Sequence, residues 1–192
     1  MTDKKKLRAI YKTKRAALTD ENMEALSVNI ADHFFEYLKS IEVNCIHIFL
    51  PIHSQREVNT WNIVKQIWSE YPRIKIVVPV VAKDNNTMIC TEINSKSDFS
   101  IDSYGIPNPT IITPTAPSEI DLILTPLLCI DKKGNRIGYG MGFYDRFFSD
   151  CRNDTIKIGL SLFEPLSETI PVDPHDVALD GWITPTKIHL LA

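Results

Sequence analysis

Four of the seven glycines in this 192-residue chain lie within nine residues: Gly134-Asn135-Arg136-Ile137-Gly138-Tyr139-Gly140-Met141-Gly142. Glycine concentrated in this way costs conformational entropy on folding. It supplies φ > 0 geometry and bare backbone N–H groups that can approach something bulky and negative. Before the run, Asp121-Leu122-Ile123-Leu124-Thr125-Pro126-Leu127-Leu128-Cys129-Ile130 has the apolar character of a central strand, and Asp131-Lys132-Lys133-Gly134 turns out of it. After the run, Phe143-Tyr144-Asp145-Arg146 opens a helix expected from about Gly142 to Asp150. A strand, a glycine-rich loop and a helix in that order form an anion cradle at a helix N-terminus. Arg136 adds a permanent cation with a planar donor fork suited to phosphate. Asp145 is a hard oxygen ligand able to hold Mg2+ beside that phosphate.

The remaining segments repeat the alternation of strand and helix. Residues 3–18 carry seven of the 21 basic residues, with Leu7, Ile10, Tyr11 and Leu18 at helical spacing. The cationic face of that helix reads either as a solvated surface or as a lid of charge closing over a nucleotide. Thr19-Asp20-Glu21 caps a second helix with a stripe of Met23, Leu26, Ile30, Phe34, Tyr37 and Ile41. Cys45–Leu50 reads as a buried strand ended by Pro51, with His47 a satisfied structural histidine. Asn59 or Thr60 caps a helix carrying Trp61, Ile63, Val64, Ile67 and Trp68. Ile74–Val81 and Thr87–Ile93 read as strands about a turn at Asp84-Asn85-Asn86. Residues 94–119 are rich in Ser, Asp, Pro and Thr and read as a long loop without an element of its own. Within it, Gly105-Ile106-Pro107-Asn108-Pro109 is a stiffened turn able to wall a pocket. Ile156–Leu162 is a strand, and Val177–Thr184 supplies a last short one. This pattern predicts a single α/β domain over residues 1–192, a three-layer α/β/α sandwich with a mostly parallel central sheet.

Composition narrows the function. A net charge of −3 gives no case for nucleic acid or a membrane surface. No apolar run reaches the roughly 18–20 residues of a membrane span, and no apolar stretch follows the basic N-terminus as a secretory signal requires. Cys45, Cys90, Cys129 and Cys151 form no C-x-x-C pair. They read as reduced thiols of a cytoplasmic protein, without a zinc site.

The glycine run lacks the Gly-Lys-Ser/Thr ending of a Walker A loop and the acidic partner of a dinucleotide fingerprint. Taken by itself, it reads as a phosphate loop or as a flexible turn whose Asp145 favours the helix dipole. In open α/β sheets ligands bind beyond the C-terminal ends of strands. That places Glu57 and Asn59, in the polar loop after Pro51, among the site candidates. Asp176, in Pro171-Val172-Asp173-Pro174-His175-Asp176, reads as a second metal carboxylate or as a turn acid. His175 reads as a base, a phosphate contact or a loop histidine.

Gly134-x-Arg136-Ile137-Gly138-x-Gly140-x-Gly142-Phe143-Tyr144-Asp145-Arg146 resembles the signature of the 5-formyltetrahydrofolate cyclo-ligase (5,10-methenyltetrahydrofolate synthetase) family. Lys4-x-x-x-Arg8 with Lys12 and Arg15, Phe49-Leu50-Pro51 with Glu57-Val58-Asn59-Thr60, and Pro171, Asp176 and Thr184-Pro185-Thr186-Lys187 extend the resemblance over nearly the whole chain. It implies a fold like that of NagB, RpiA and CoA transferases. It also implies a monomer that closes 5-formyltetrahydrofolate to 5,10-methenyltetrahydrofolate using ATP and Mg2+. By the same resemblance, Lys4, Arg8 and the loop from Gly134 to Gly142 contact ATP. Asp145 and Asp176 hold Mg2+; Ile52, Glu57 and Asn59 touch the folate. Tyr139, Gly140, Met141, Gly142 and Phe143 lie between both substrates, and Arg136, Tyr144 and Asp145 form the catalytic group. The alternative is a non-catalytic folate- or nucleotide-binding protein on the same fold. Three positions depart from the family pattern: Met141 replaces Gly or a basic residue, Asn108 a Glu, and Asn59 an acid.

Overall fold

The computed structural model describes residues 3–82, 87–102 and 105–191, so the turn expected at Asp84-Asn85-Asn86 lies outside the described residues. The helices are α1 (Lys4–Ala16), α2 (Asp20–Leu38), α3 (Trp61–Glu70) and α4 (Phe143–Asp150). The strands are β1 (Cys45–Ile48), β2 (Lys75–Val81), β3 (Met88–Ile93), β4 (Phe99–Ile101), β5 (Pro107–Pro109), β6 (Pro114–Thr115), β7 (Leu122–Pro126), β8 (Cys129–Ile130), β9 (Arg136–Ile137), β10 (Ile156–Leu160), β11 (Gly181–Ile183) and β12 (Ile188–Leu190). Eight strands form one sheet in the order β12-β11-β10-β7-β1-β2-β3-β6.

The centre of that sheet, β11-β10-β7-β1-β2, is parallel. Its strands read as uninterrupted apolar runs because both faces are covered. Successive side chains point to opposite faces. Ile46, Ile48, Ile76, Val78, Leu122, Leu124 and Ile158 therefore join the stripe of α2 and α3 (Ile30, Phe34, Ile63, Ile67) in one layer of core. Cys45, Val77, Ile123, Leu127 and Trp182 meet Phe147 and Phe148 of α4 in the other. The result is the expected sandwich, with antiparallel additions at both edges: β3 and β6 beyond β2, and β12 beyond β11. Among the described residues, no helix is long and apolar enough to cross a membrane.

Several local expectations need correction. The long loop of residues 94–119 contains a β4–β5 pair and β6, which extends the edge of β3. Pro107, Pro109 and Pro114 suit edge positions, where a missing N–H costs no ladder bond. The strand anticipated from Asp121 to Ile130 divides after Pro126, and β8 forms a hairpin with β9. The last central strand begins at Gly181, not Val177, and β12 was not anticipated. The Thr19 hydroxyl caps α2 as read. Thr60 stands before α3, but its hydroxyl donates to the Phe49 carbonyl at 2.6 Å instead of capping the helix.

His47 is fully buried, but it is not satisfied. Neither ring nitrogen has a hydrogen-bond partner among the described residues. The ring packs against Tyr144 and Phe147, with centroids 5.7 and 5.0 Å away, and burial pushes its pKa down to about 3. The four cysteines are free thiols. Cys45, Cys90 and Cys129 are buried, and burial pushes each up to about 12, away from nucleophilic thiolate.

Candidate functional site

The glycine-rich loop is held at its root by one buried carboxylate. Asp131 accepts from the Lys133 and Asn135 backbone N–H groups, from the Asn135 side-chain amide at 2.9 Å, and from Ile170 N at 2.8 Å. Asn135 is therefore a brace within the loop. Gly134 has φ +81°, and a Cβ there would stand 2.5 Å from the Leu179 carbonyl oxygen. The loop root lies against the backbone near Leu179, closer than any side chain permits. The β8–β9 hairpin then turns Ile137 into the core beside Leu7 and Tyr11 of α1, which leaves only its backbone near the loop surface.

The same hairpin aims Arg136 along the N-terminal turn of α4. Its guanidinium pairs with Asp145 Oδ1 at 2.7 Å, donates to the Val177 carbonyl, and lies 4.9 Å from the Phe148 ring centroid. Asp145 also accepts from Val177 N at 3.2 Å. One residue away, Asp176 accepts from Lys4 and from Asp173 N, and Lys4 reaches Asp173 at 2.6 Å as well. Burial pushes the Asp176 carboxyl up, but these two donors outweigh it and the net shift is downward. Burial likewise pulls Lys4 down, while its bonds to Asp173 and Asp176 raise it overall. The two acids expected to share a metal are thus neighbours through Val177, and each is held by a cation.

This donor set fits Mg2+. That ion takes hard oxygen ligands, commonly one or two carboxylates completed by phosphate oxygens and water. Among the described residues no group of three His, Cys, Asp or Glu could close a cage around a metal. Two carboxylates beside a glycine-rich loop therefore suit a metal that takes its remaining ligands from elsewhere.

Arg8, one turn along α1 from Lys4, donates through Nε to the Gly138 carbonyl at 3.0 Å. Its guanidinium lies 3.2 Å from where a Gly140 Cβ would stand, so glycine is what lets α1 reach the loop. Met141 is 64 % exposed at the loop tip. Gly142, at φ 67°, precedes α4 without a side-chain cap, so the first N–H groups of the helix lack intrahelical partners.

From the loop the Tyr139 hydroxyl reaches Glu57, which lines a cleft of about 350 Å³. Its walls include Met23, Glu57, Asn59, Trp61, Gly105 and Pro107, so the stiff turn near Pro107 does wall a pocket. Ile52 stands behind Gly105, at 3.8 Å from that residue's hypothetical Cβ. Glu57 is 5 % exposed; its Oε2 accepts from Ile52 N at 2.8 Å and its Oε1 from the Tyr139 hydroxyl at 2.6 Å. Burial pushes Glu57 up, and these donors offset part of that rise. The Asn59 amide donates to Glu24 at 2.8 Å. Asn108 donates to Asp102 at 3.0 Å and so ties the β4–β5 turn.

Of the residues expected at the folate, Glu57 and Asn59 line this cleft and Ile52 and Tyr139 donate to Glu57, whereas Gly140, Met141, Gly142 and Phe143 are not among its walls. Phe143 lines a separate depression of about 120 Å³ with Thr87, Met88 and Arg146. The Tyr144 hydroxyl is buried without a partner among the described residues, and its ring packs on His47, Phe147 and Phe148. Two residues not expected here touch the candidates: Asp173 pairs with Lys4, and Arg15 donates to the Tyr139 hydroxyl. Arg15 carried a signal: it follows Leu7 and Tyr11 at spacings of four, on the buried face of α1.

Relatives share both the sequence and the fold. The chain is 26% identical over 182 residues to the 5-formyltetrahydrofolate cyclo-ligase of Escherichia coli (strain K12), covering 93% of this chain and 98% of that one. It is 30% identical over 189 residues to the Mus musculus 5-formyltetrahydrofolate cyclo-ligase, covering 92% and 91%. The solved structure of Aquifex aeolicus 5,10-methenyltetrahydrofolate synthetase superposes with TM-score 0.76 at 22% identity, over 97% of this chain and 92% of that one. A 5,10-methenyltetrahydrofolate synthetase from Mycoplasma pneumoniae gives 0.73 at 24%, over 96% and 99%. At those identities the structures establish the common fold. The model of the 5-formyltetrahydrofolate cyclo-ligase family matches residues 1–185, and the chain belongs to that family.

Proposed function

We propose that this protein converts 5-formyltetrahydrofolate to 5,10-methenyltetrahydrofolate, consuming ATP with Mg2+ and releasing ADP and phosphate. The observation that carries the reading is that one glycine-rich loop touches two unlike groups of residues. Arg8 donates to Gly138 and Arg136 pairs with Asp145, beside Asp176 and Lys4, while the Tyr139 hydroxyl donates to Glu57 on the wall of the cleft. Tyr139 joins the two.

The chemistry needs that adjacency. The oxygen of an N-formyl group is a poor leaving group. Transfer of the γ-phosphoryl group to it, with ADP leaving, makes it a good one. The folate N10 then attacks the formyl carbon and gives up its proton, and the C–O bond breaks as phosphate departs, leaving the closed methenyl ring. Such a reaction asks a protein for positioning and charge stabilisation more than for covalent work. Lys4, Arg8 and the open loop N–H groups bind the phosphates. Arg136 orients Asp145, and Glu57 with Asn59 receives the folate. Mg2+, when bound at Asp145 and Asp176, neutralises charge on the phosphates. Tyr144, two residues after the loop, anchors the start of α4 through its ring contacts with His47, Phe147 and Phe148.

The test is a mixture of purified protein, MgATP and 5-formyltetrahydrofolate, followed by methenyl absorbance together with ADP release. Both products in equal amounts are expected. Folate binding with neither product sinks the enzyme reading, and ATP turnover indifferent to formylfolate points to another substrate.

A further inference from the structure

Arg15 is a charged residue only 3 % exposed, on the one face of α1 that should be apolar. A buried charge is costly unless its donors are used. Among the described residues no carboxylate contacts its guanidinium directly. It donates through Nη1 to the Tyr139 hydroxyl at 3.0 Å, and through Nη2 to the Leu127 carbonyl. The Tyr139 hydroxyl in turn donates a hydrogen bond to Glu57, which Ile52 N holds from the other side.

The direction of this chain follows from donor and acceptor chemistry. Arginine has donors and no acceptor, so the Tyr139 oxygen must accept from it. The single phenolic proton then has one destination, the carboxylate of Glu57. The 2.6 Å separation is that of a charge-assisted bond. Each carboxylate oxygen of Glu57 keeps a further lone-pair site for a donor on a ligand. The second Arg15 bond is equally placed to matter. Leu127 leads into β8, whose hairpin with β9 carries the glycine-rich loop, and Leu128 N donates to Ile137 O at 2.7 Å. Lys12 Nζ lies 5.6 Å from the centre of the Tyr139 ring, holding the same side chain from above.

We propose that Arg15 is a positioning residue for the folate site: acting through the Tyr139 hydroxyl, it fixes the Glu57 carboxylate and ties the folate cleft to the nucleotide loop. The proposal rests on the reading of Glu57 as a folate contact. Without Arg15 the phenolic O–H is free to rotate, and Glu57 loses both its fixed donor and the nearby positive charge.

The test compares Arg15→Met, Tyr139→Phe and the double variant. It reads equilibrium binding of 5-formyltetrahydrofolate, the KM values for formylfolate and ATP, and thermal unfolding. Each single variant should weaken formylfolate binding by about tenfold to a hundredfold, as expected for a hydrogen bond to a charged group. The KM for ATP should move much less. Because both act on one chain, the double variant should bind no more weakly than Tyr139→Phe alone. Additive losses, or a folded Arg15→Met that binds formylfolate like wild type, overturn the proposal. Should Arg15→Met fail to fold, Arg15→Lys carries the test, since an ammonium lacks the fork that spans Tyr139 and Leu127. The same selective loss is expected, and wild-type binding overturns the proposal. Wild-type protein that binds formylfolate without turning it over sinks only the reaction and leaves this test standing. Wild-type protein that does not bind it overturns both.

Discussion

One oxygen of Asp145 receives Arg136 and the Val177 N–H together. Asp145→Asn keeps an acceptor in that place and removes the charge. Turnover should fall about a hundredfold or more, in the range of lost electrostatic stabilisation at reacting phosphates, while the protein still folds. Circular dichroism beside the coupled assay separates the two, and a variant that unfolds would assign the acid a structural role. Lys4 presents the complementary case: its ammonium occupies Asp173 and Asp176. Lys4→Met should strengthen binding of Mn2+ in the absence of nucleotide, read by electron paramagnetic resonance, and weaken binding of ATP. Unchanged Mn2+ affinity would show that Lys4 does not compete for those carboxylates. His47 gives a pH prediction whose sign is fixed. Burial holds its pKa near 3 in the fold, against 6.5 ordinarily. Between these values the unfolded chain binds a proton that the native state refuses, so stability falls as pH drops. About 2 kcal/mol of the wild-type stability should be lost through this one group between pH 7.5 and pH 5. His47→Leu should lose less over the same interval in urea titrations, and parallel losses would refute the assignment.

At the scale of elements, the β8–β9 hairpin sets the loop, and Gly134 sets the hairpin. Gly134→Ala combines a φ of +81° with a Cβ 2.5 Å from a backbone oxygen that has no side-chain freedom to yield. A loss of about 2–4 kcal/mol in chemical denaturation is expected. A loss below about 0.5 kcal/mol would mean that the Leu179 segment is not packed against the loop root. Elements with local signals were legible in the sequence: the Thr19 cap and stripe of α2, the glycines ahead of α4, and the apolar runs of β1, β2 and β7. Elements defined by distant partners were not. β6 is only Pro114 and Thr115, and the edge of β3 alone makes it a strand. β12 exists because β11 offers an open edge. The same division runs through the site. Glu57 could be placed by its position after a strand, and Asp145 by its position in a helix turn. Arg15 had only the spacing of four from Tyr11 to mark it, against a residue type that argues for exposure, and the partners that make its burial possible, the Tyr139 hydroxyl and the Leu127 carbonyl, are distant in sequence.

Over the whole molecule, the two core layers share one sheet. Ile46 and Ile48 face the α2–α3 layer while Cys45 of the same strand faces α4. Likewise Leu122 and Leu124 point one way from β7 and Ile123 the other. Neither layer can melt without stripping one face of strands that the other still needs, so the chain should unfold as a single cooperative unit. The tryptophans report on both sides: Trp61 and Trp68 pack on the α2–α3 layer, and Trp182 lies in the α4 layer. Trp182→Phe leaves fluorescence from the first layer alone, and Trp61→Phe combined with Trp68→Phe leaves it from the second. Within each variant, the urea midpoint by fluorescence should match that by far-ultraviolet circular dichroism. In sedimentation the native protein should run as a monomer of 21.8 kDa. Separate midpoints would show that the layers fold as distinct units and would overturn the one-domain reading. A coincident transition that moves to higher urea with MgATP would in turn place the nucleotide site within that unit, since a ligand stabilises what it binds in the native state alone.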